Sequence, residues 1–460
     1  MPTRAPLRAV SIAVCILGFS TAACSALLGF EELTGAGDGG SSTGDASIDD
    51  GASTDGNLLD GQGRDAGGDS GTTPPSHVTA APAACIMSTL IAHGCDGGSL
   101  CAPTSIAVED DATFYVSEAS GAIARVALGS TPLVSSVPIK NVDGGATVFN
   151  APTALALDRT TQALYVGEKY RLDAVPLSSS IATSIAGSST GGGTGADGIG
   201  AAATFGGITG VAHLDSSGIA FIADHVNVRT VTLDGGVVTT LNSGEFGSPQ
   251  AVAQDPSGTH EVFFAVLNGG GNPPGVYAFS PGAPAATRPI DNQSFSVPFA
   301  LAIDGSLLYV ADVSLGGIFA LNVTANPITS KRIAGAGASS TSSDGECLSA
   351  TFEQPTAIAI DSQHHILMVD NSANTLREID QSFGKIGVSW TLLDPIEGVG
   401  PIGYVATARA SGQADGSCTT TTASCTIAGL TSGVKYDVSV VSTTSTGSSG
   451  PSPALEVTPN

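Results

Sequence analysis

Five short apolar runs in this chain end on an acid. Glu118, Glu168, Asp224, Asp312 and Asp370 close FYVSE, LYVGE, FIAD, LYVAD and LMVD. Carboxylates gathered on one face can hold a divalent cation or a basic ligand, so the five form a candidate cation or ligand rim. The simpler role is structural: each accepts turn amides or pairs with Arg125, Arg229 or Arg377. Two further patterns carry chemistry in other settings. Gly187-Ser-Ser189-Thr-Gly191 has the spacing of a nucleophile elbow, and Gly193-Thr-Gly195-Ala-Asp-Gly198 that of a dinucleotide fingerprint. Both patterns need a strand–turn–helix, and here both lie in one Gly/Ser-rich loop with no helix after it. The seven histidines are scattered without ligand spacing, and His213 reads as a packed residue within a strand. No catalytic residue, metal ligand or cofactor is assigned, a divalent cation at the rim being the one cofactor the pattern admits.

The elements that position these acids recur. TSIAVEDDATFYVSE (104–118), TALALDRTTQALYVGE (153–168), TGVAHLDSSGIAFIAD (209–224), QAVAQDPSGTHEVFFAV (250–266), ALAIDGSLLYVAD (300–312) and TAIAIDSQHHILMVD (356–370) are one phrase written six times. Counted from Thr104, Thr153, Thr209, Gln250, Phe299 and Thr356, the copies stand 41 to 57 residues apart. That spacing predicts a blade of about four strands per copy. Small and branched residues alternate in the first strand, as strands converging on one axis require. Asp158, Asp215, Asp255, Asp304 and Asp361 then open turns, and a dense apolar second strand follows. Third strands such as VRTVTL and TLREI, and fourth strands such as GVVTTLNSG, complete the unit.

Residues 196–241, ADGIGAAATFGGITGVAHLDSSGIAFIADHVNVRTVTLDGGVVTTL, resemble an NHL-type propeller repeat. The resemblance implies an all-β fold, a six-bladed β-propeller over 77–382, and says little about chemistry. The sixth unit reaches TLREID without a fourth strand, whereas STLIAHG (88–94) matches the fourth strands elsewhere. The N-terminal segment is therefore expected to close the ring. Some six-bladed propellers are metal-dependent lactonases or lyases with ligands at the channel mouth. Here the mouth residues, Thr104, Thr153, Thr209, Gln250, Phe299 and Thr356, are rich in hydroxyls and poor in metal ligands.

From 383 to 460 the chain resembles a fibronectin type III-like β-sandwich. Trp390 is its core tryptophan, Leu430, Gly433 and Tyr436 form the tyrosine-corner turn, and Val438 and Val440 point inward. Its first strand is short or missing. Cys418 and Cys425, flanking a hairpin, are expected to pair, while Cys85, Cys95, Cys101 and Cys347 allow three pairings, one of which should tie the ring closure.

The first 24 residues, MPTRAPLRAVSIAVCILGFSTAAC, carry the charge, apolar run and small residues of an export signal. The ending resembles a bacterial lipobox, which implies lipidation of Cys24 and an outer-membrane lipoprotein, periplasmic or surface-exposed. Residues 25–76, rich in Asp, Gly and Ser, read as a disordered tether with a reach of about 40 Å. The net charge of −25 argues against nucleic acid, and against membrane contact other than through the anchor. The expected activity is that of a non-enzymatic binding scaffold, taking a protein or small-molecule ligand at the top face of the propeller. The competing assignment is a metal-dependent hydrolase or lyase.

Overall fold

A computed structural model describes residues 74–92, 99–189, 195–213, 218–225, 227–243, 247–255, 261–267, 272–291, 294–382, 384–392, 402–431, 433–445 and 447–459. The signal, Cys24 and nearly all of the tether lie outside the described residues, as does Cys95. Within them every regular element is a strand apart from two three-residue 3-10 turns.

Six antiparallel sheets follow the six copies of the phrase. Their inner strands are Pro103–Asp110, Ala154–Asp158, Ile208–His213, Pro249–Gln254, Pro298–Asp304 and Pro355–Ile360. We number the sheets I to VI in this order. Each inner strand packs on the next, and that of sheet VI packs on that of sheet I, so the ring is closed. The sequence alternation explains the packing. Second strands such as Phe263–Val266 and Leu308–Ala311 are buried on both faces, and each gap between sheets holds its own apolar cluster. Where inner strands converge there is no room for a side chain at some positions. A Cβ on Gly210 would stand 3.0 Å from the Ala251 Cα.

Sheet VI draws its fourth strand from the start of the chain. Ile86–Ile91 runs antiparallel to Thr375–Asp380, with Ser88 opposite Glu378 and Thr89 opposite Arg377. The Cys85–Cys347 disulfide sits at the same seam. Cys101 is disulfide-bonded as well.

The residues just before this strand depart from the expected boundary at 77. Thr79–Pro82 pairs with Ile386–Ser389 and so belongs to the C-terminal unit, whose missing first strand it supplies. Edge pairing rests on backbone hydrogen bonds, which the bland stretch TAAP does not advertise. Ile386–Ser389 pairs in turn with Ser424–Ile427. A second sheet joins Gly416–Thr420, Gly403–Arg409 and Tyr436–Thr444. Trp390 packs between the two, 5.3 Å from the Tyr404 ring. The Cys418–Cys425 bond links strands of different sheets, where a simple hairpin was expected.

Candidate functional site

The acids that end the second strands do not line an open rim. Glu168, Asp224, Asp312 and Asp370 are at most 2% exposed. Asp312 accepts the backbone N–H groups of Ser296 and Val297 at 2.7 and 2.9 Å, and that of Leu315 at 2.9 Å. Asp224 accepts those of Gly206 and Gly207, both at 2.8 Å. Asp370 accepts those of Glu353 and Gln354, and Glu118 accepts that of Cys101 at 3.0 Å. In sheet II, Glu168 binds Arg171 at 2.9 Å. Four of the five therefore pin the loop that leads into their own inner strand. Burial of four of the five, and these bonds, favour the structural role over a cation rim, because each acid has at least one oxygen engaged by an amide or a guanidinium group.

Two arginines extend the device. Arg229 donates to the carbonyls of Thr204 and Ala196 and to Asp224 and Asp197, with Phe205 under its guanidinium at 5.1 Å. Arg377 repeats this on the carbonyls of Thr351 and Ser343 and on Asp344, over Phe352 at 5.5 Å. Both side chains are buried. The Ala-Thr-Phe written at 203–205 and 350–352 is the sequence trace of this pin.

Three of the four threonine hydroxyls at the channel mouth are engaged too. Thr104 Oγ1 donates to the Pro152 carbonyl at 2.6 Å, Thr153 to Ile208 at 2.6 Å and Thr209 to Pro249 at 2.8 Å. Each ties its strand to the opening of the next sheet. At the seam between sheets VI and I, Asn371 Nδ2 takes over, donating to the Pro103 carbonyl at 2.7 Å. Thr356 Oγ1 is left buried with no partner among the described residues. The cavity at this end is ≈ 80 Å³, room for only a few waters.

The opposite end of the channel is different. There the ends of the inner strands surround a recess of ≈ 560 Å³, walled by Val108, Leu157, Val211, Val252, Leu301 and Ile360. Two polar residues stand in this wall. Arg159 donates from Nε to the Val108 carbonyl at 3.2 Å. His213 Nε2 lies 3.3 Å from Asp158 Oδ2, with Tyr165 edge-on to its ring. Burial opposes ionisation of Asp158, yet the backbone N–H groups of Thr161 and Thr160 hold its carboxyl below the usual range. The recess is of the size that encloses a small molecule. Sequence reading missed Arg159, although it is the one basic residue placed directly after a turn-opening Asp in the six copies.

No protein-family profile matches the chain, and no curated protein does. Among solved structures, a structural-genomics protein of unknown function from Bacteroides thetaiotaomicron aligns with a TM-score of 0.51 at 15% identity. The alignment covers 66% of this chain and 76% of that one. An auxiliary nutrient binding protein from Bacteroides ovatus aligns at 0.48 and 12%, covering 65% and 76%. The WD40 beta propeller domain of Doa1 aligns at 0.43 and 12%, covering 65% and 97%. The fold is a β-propeller. At these identities the likeness concerns architecture alone. The propeller thus offers one end closed by a hydroxyl clamp and one open apolar end.

Proposed function

We propose that this chain is a non-enzymatic binding scaffold of the cell envelope, with a six-bladed NHL-type propeller and a fibronectin type III-like module. Six sheets in one ring and the repeated arginine pin support the first part. The Tyr436 hydroxyl, which accepts the Thr431 N–H at 3.0 Å, and the buried Trp390 support the second. Binding is carried by one observation, the ≈ 560 Å³ recess at the end of the channel where the inner strands finish. The aliphatic side chains that wall it, among the described residues, suit a small ligand with an apolar body. The ligand end is thus the face opposite the acids that close the second strands. The hydrolase reading finds no support at the mouth, where Thr104, Thr153 and Thr209 are tied to carbonyls.

Titrating octanoate into the full chain while following its NMR line width tests this reading. Saturable binding is expected. It should weaken at least about tenfold in Leu157→Trp, which fills the recess. Absence of saturable binding to the unaltered protein refutes the recess as the ligand site.

The tether reading adds an anchor at Cys24, on the periplasmic or outer side of the outer membrane. Cys24→Ser should move the protein from the membrane pellet to the soluble fraction. Continued sedimentation with membranes would count against lipidation.

A further inference from the structure

On the turn face of sheet VI, three side chains with ligand atoms converge from three neighbouring strands. Asp361 directly follows the inner strand, His365 directly precedes the second (Ile366–Asp370) and Glu378 lies on the third. Alternation places them together: Leu367 stands opposite Glu378, so residues 365 and 367 share a face with 378 and 380. His365 Nδ1 lies 2.9 Å from Asp361 Oδ2 and 3.2 Å from Glu378 Oε1. The three ligand atoms all fall within 4.8 Å of one another. Asp380 Oδ1 is 3.9 Å from the other ring nitrogen.

We propose that Asp361, His365 and Glu378 form a binding site for a borderline divalent transition-metal ion of the zinc class. The Asp361 carboxylate is already oriented for it. Its Oδ1 accepts the backbone N–H groups of Gln363 and His365 at 2.9 and 2.8 Å, which leaves Oδ2 aimed at the imidazole. The imidazole nitrogen, 2.9 and 3.2 Å from the two carboxylate oxygens, is a little inside the donor–donor edge of about 3.3–3.6 Å for a tetrahedron with metal–ligand bonds of about 2.0–2.2 Å, so a small opening of the cluster admits the ion. One imidazole with two carboxylates suits zinc-like ions, whereas calcium takes oxygen donors alone. His365 and Glu378 are 21% and 23% exposed, so an ion can reach them, and Asp361 beneath is buried. The imidazole stands in an acidic pocket. Around it stand Asp361, Glu378, Asp380 and Asp111, with Lys385 engaged by Asp380 at 2.9 Å.

The test is calorimetric titration of ZnCl2 into chelator-stripped full-length protein, with thermal melting in parallel. One ion per chain is expected at this site, with a rise in melting temperature. His365→Gln and Glu378→Gln should each weaken that binding at least about tenfold. His364→Gln, in which the exposed partner of Asp304 is changed, should leave it unaltered. If His365→Gln fails to fold, Glu378→Gln decides alone, since its side chain is partly exposed. Failure of the unaltered protein to bind zinc overturns the proposal, and so does equal affinity in the Glu378 variant.

Discussion

Arg229→Met is expected to lower the unfolding free energy by about 3–5 kcal/mol, measured by urea denaturation. The guanidinium and the Asp224 carboxylate are both fully buried and 3.0 Å apart. Removing the arginine leaves a carboxylate in a low-dielectric gap between sheets, and strands the Thr204 and Ala196 carbonyls that it holds. The double variant Arg229→Met/Asp224→Asn should recover part of the loss, because no unpaired charge remains. A cost below about 1 kcal/mol, the level of an exposed ion pair, would show that the pin is not a buried element of the fold.

Deleting residues 74–91 is expected to remove the cooperative unfolding transition of the whole ring. Sheet VI would lose the strand paired with Thr375–Asp380, and its apolar cluster would lose Met87, which is 1% exposed. The bare edge would leave ladder groups unpaired and apolar surface open to water. The same deletion removes Thr79–Pro82 from the C-terminal sandwich and the Cys85–Cys347 bond from the seam. A truncated chain melting cooperatively at the temperature of the intact one would contradict this closure. Differential scanning calorimetry distinguishes the outcomes.

The ring of sheets was legible because it is periodic: six copies of one phrase, each with a proline or isoleucine at the start of the inner strand or just ahead of it. The closing strand was legible by the same logic, since 88–94 reads like the other fourth strands, and its described part pairs where that likeness places it. Contacts made through backbone alone were not legible. Nothing in TAAP marks a partner across the chain, so the sandwich acquired its first strand unannounced. Side-chain roles that depend on register were hidden as well. His365 and Glu378 stand 13 positions apart (378 − 365), and only strand pairing brings them to one face. The acids of the second strands stand out in the sequence as a set, yet the loop amides that four of them accept are brought to them only by the folding of each sheet.

The paired ribbon formed by the N-terminal segment also sets an order of events during synthesis. The side chains of Thr79 and Ser389, hydrogen-bonded at 2.8 Å, are 310 positions apart. The strands made first therefore wait for partners made near the end, and sheet VI and the sandwich both stay incomplete until then. Long-range pairing of this kind carries a large loop-closure entropy and makes folding slow. Intermediates lacking that last pairing present an open strand edge, the feature on which chains aggregate. The time between making the first strand and making the last is thus the interval in which this chain most needs protection from its neighbours.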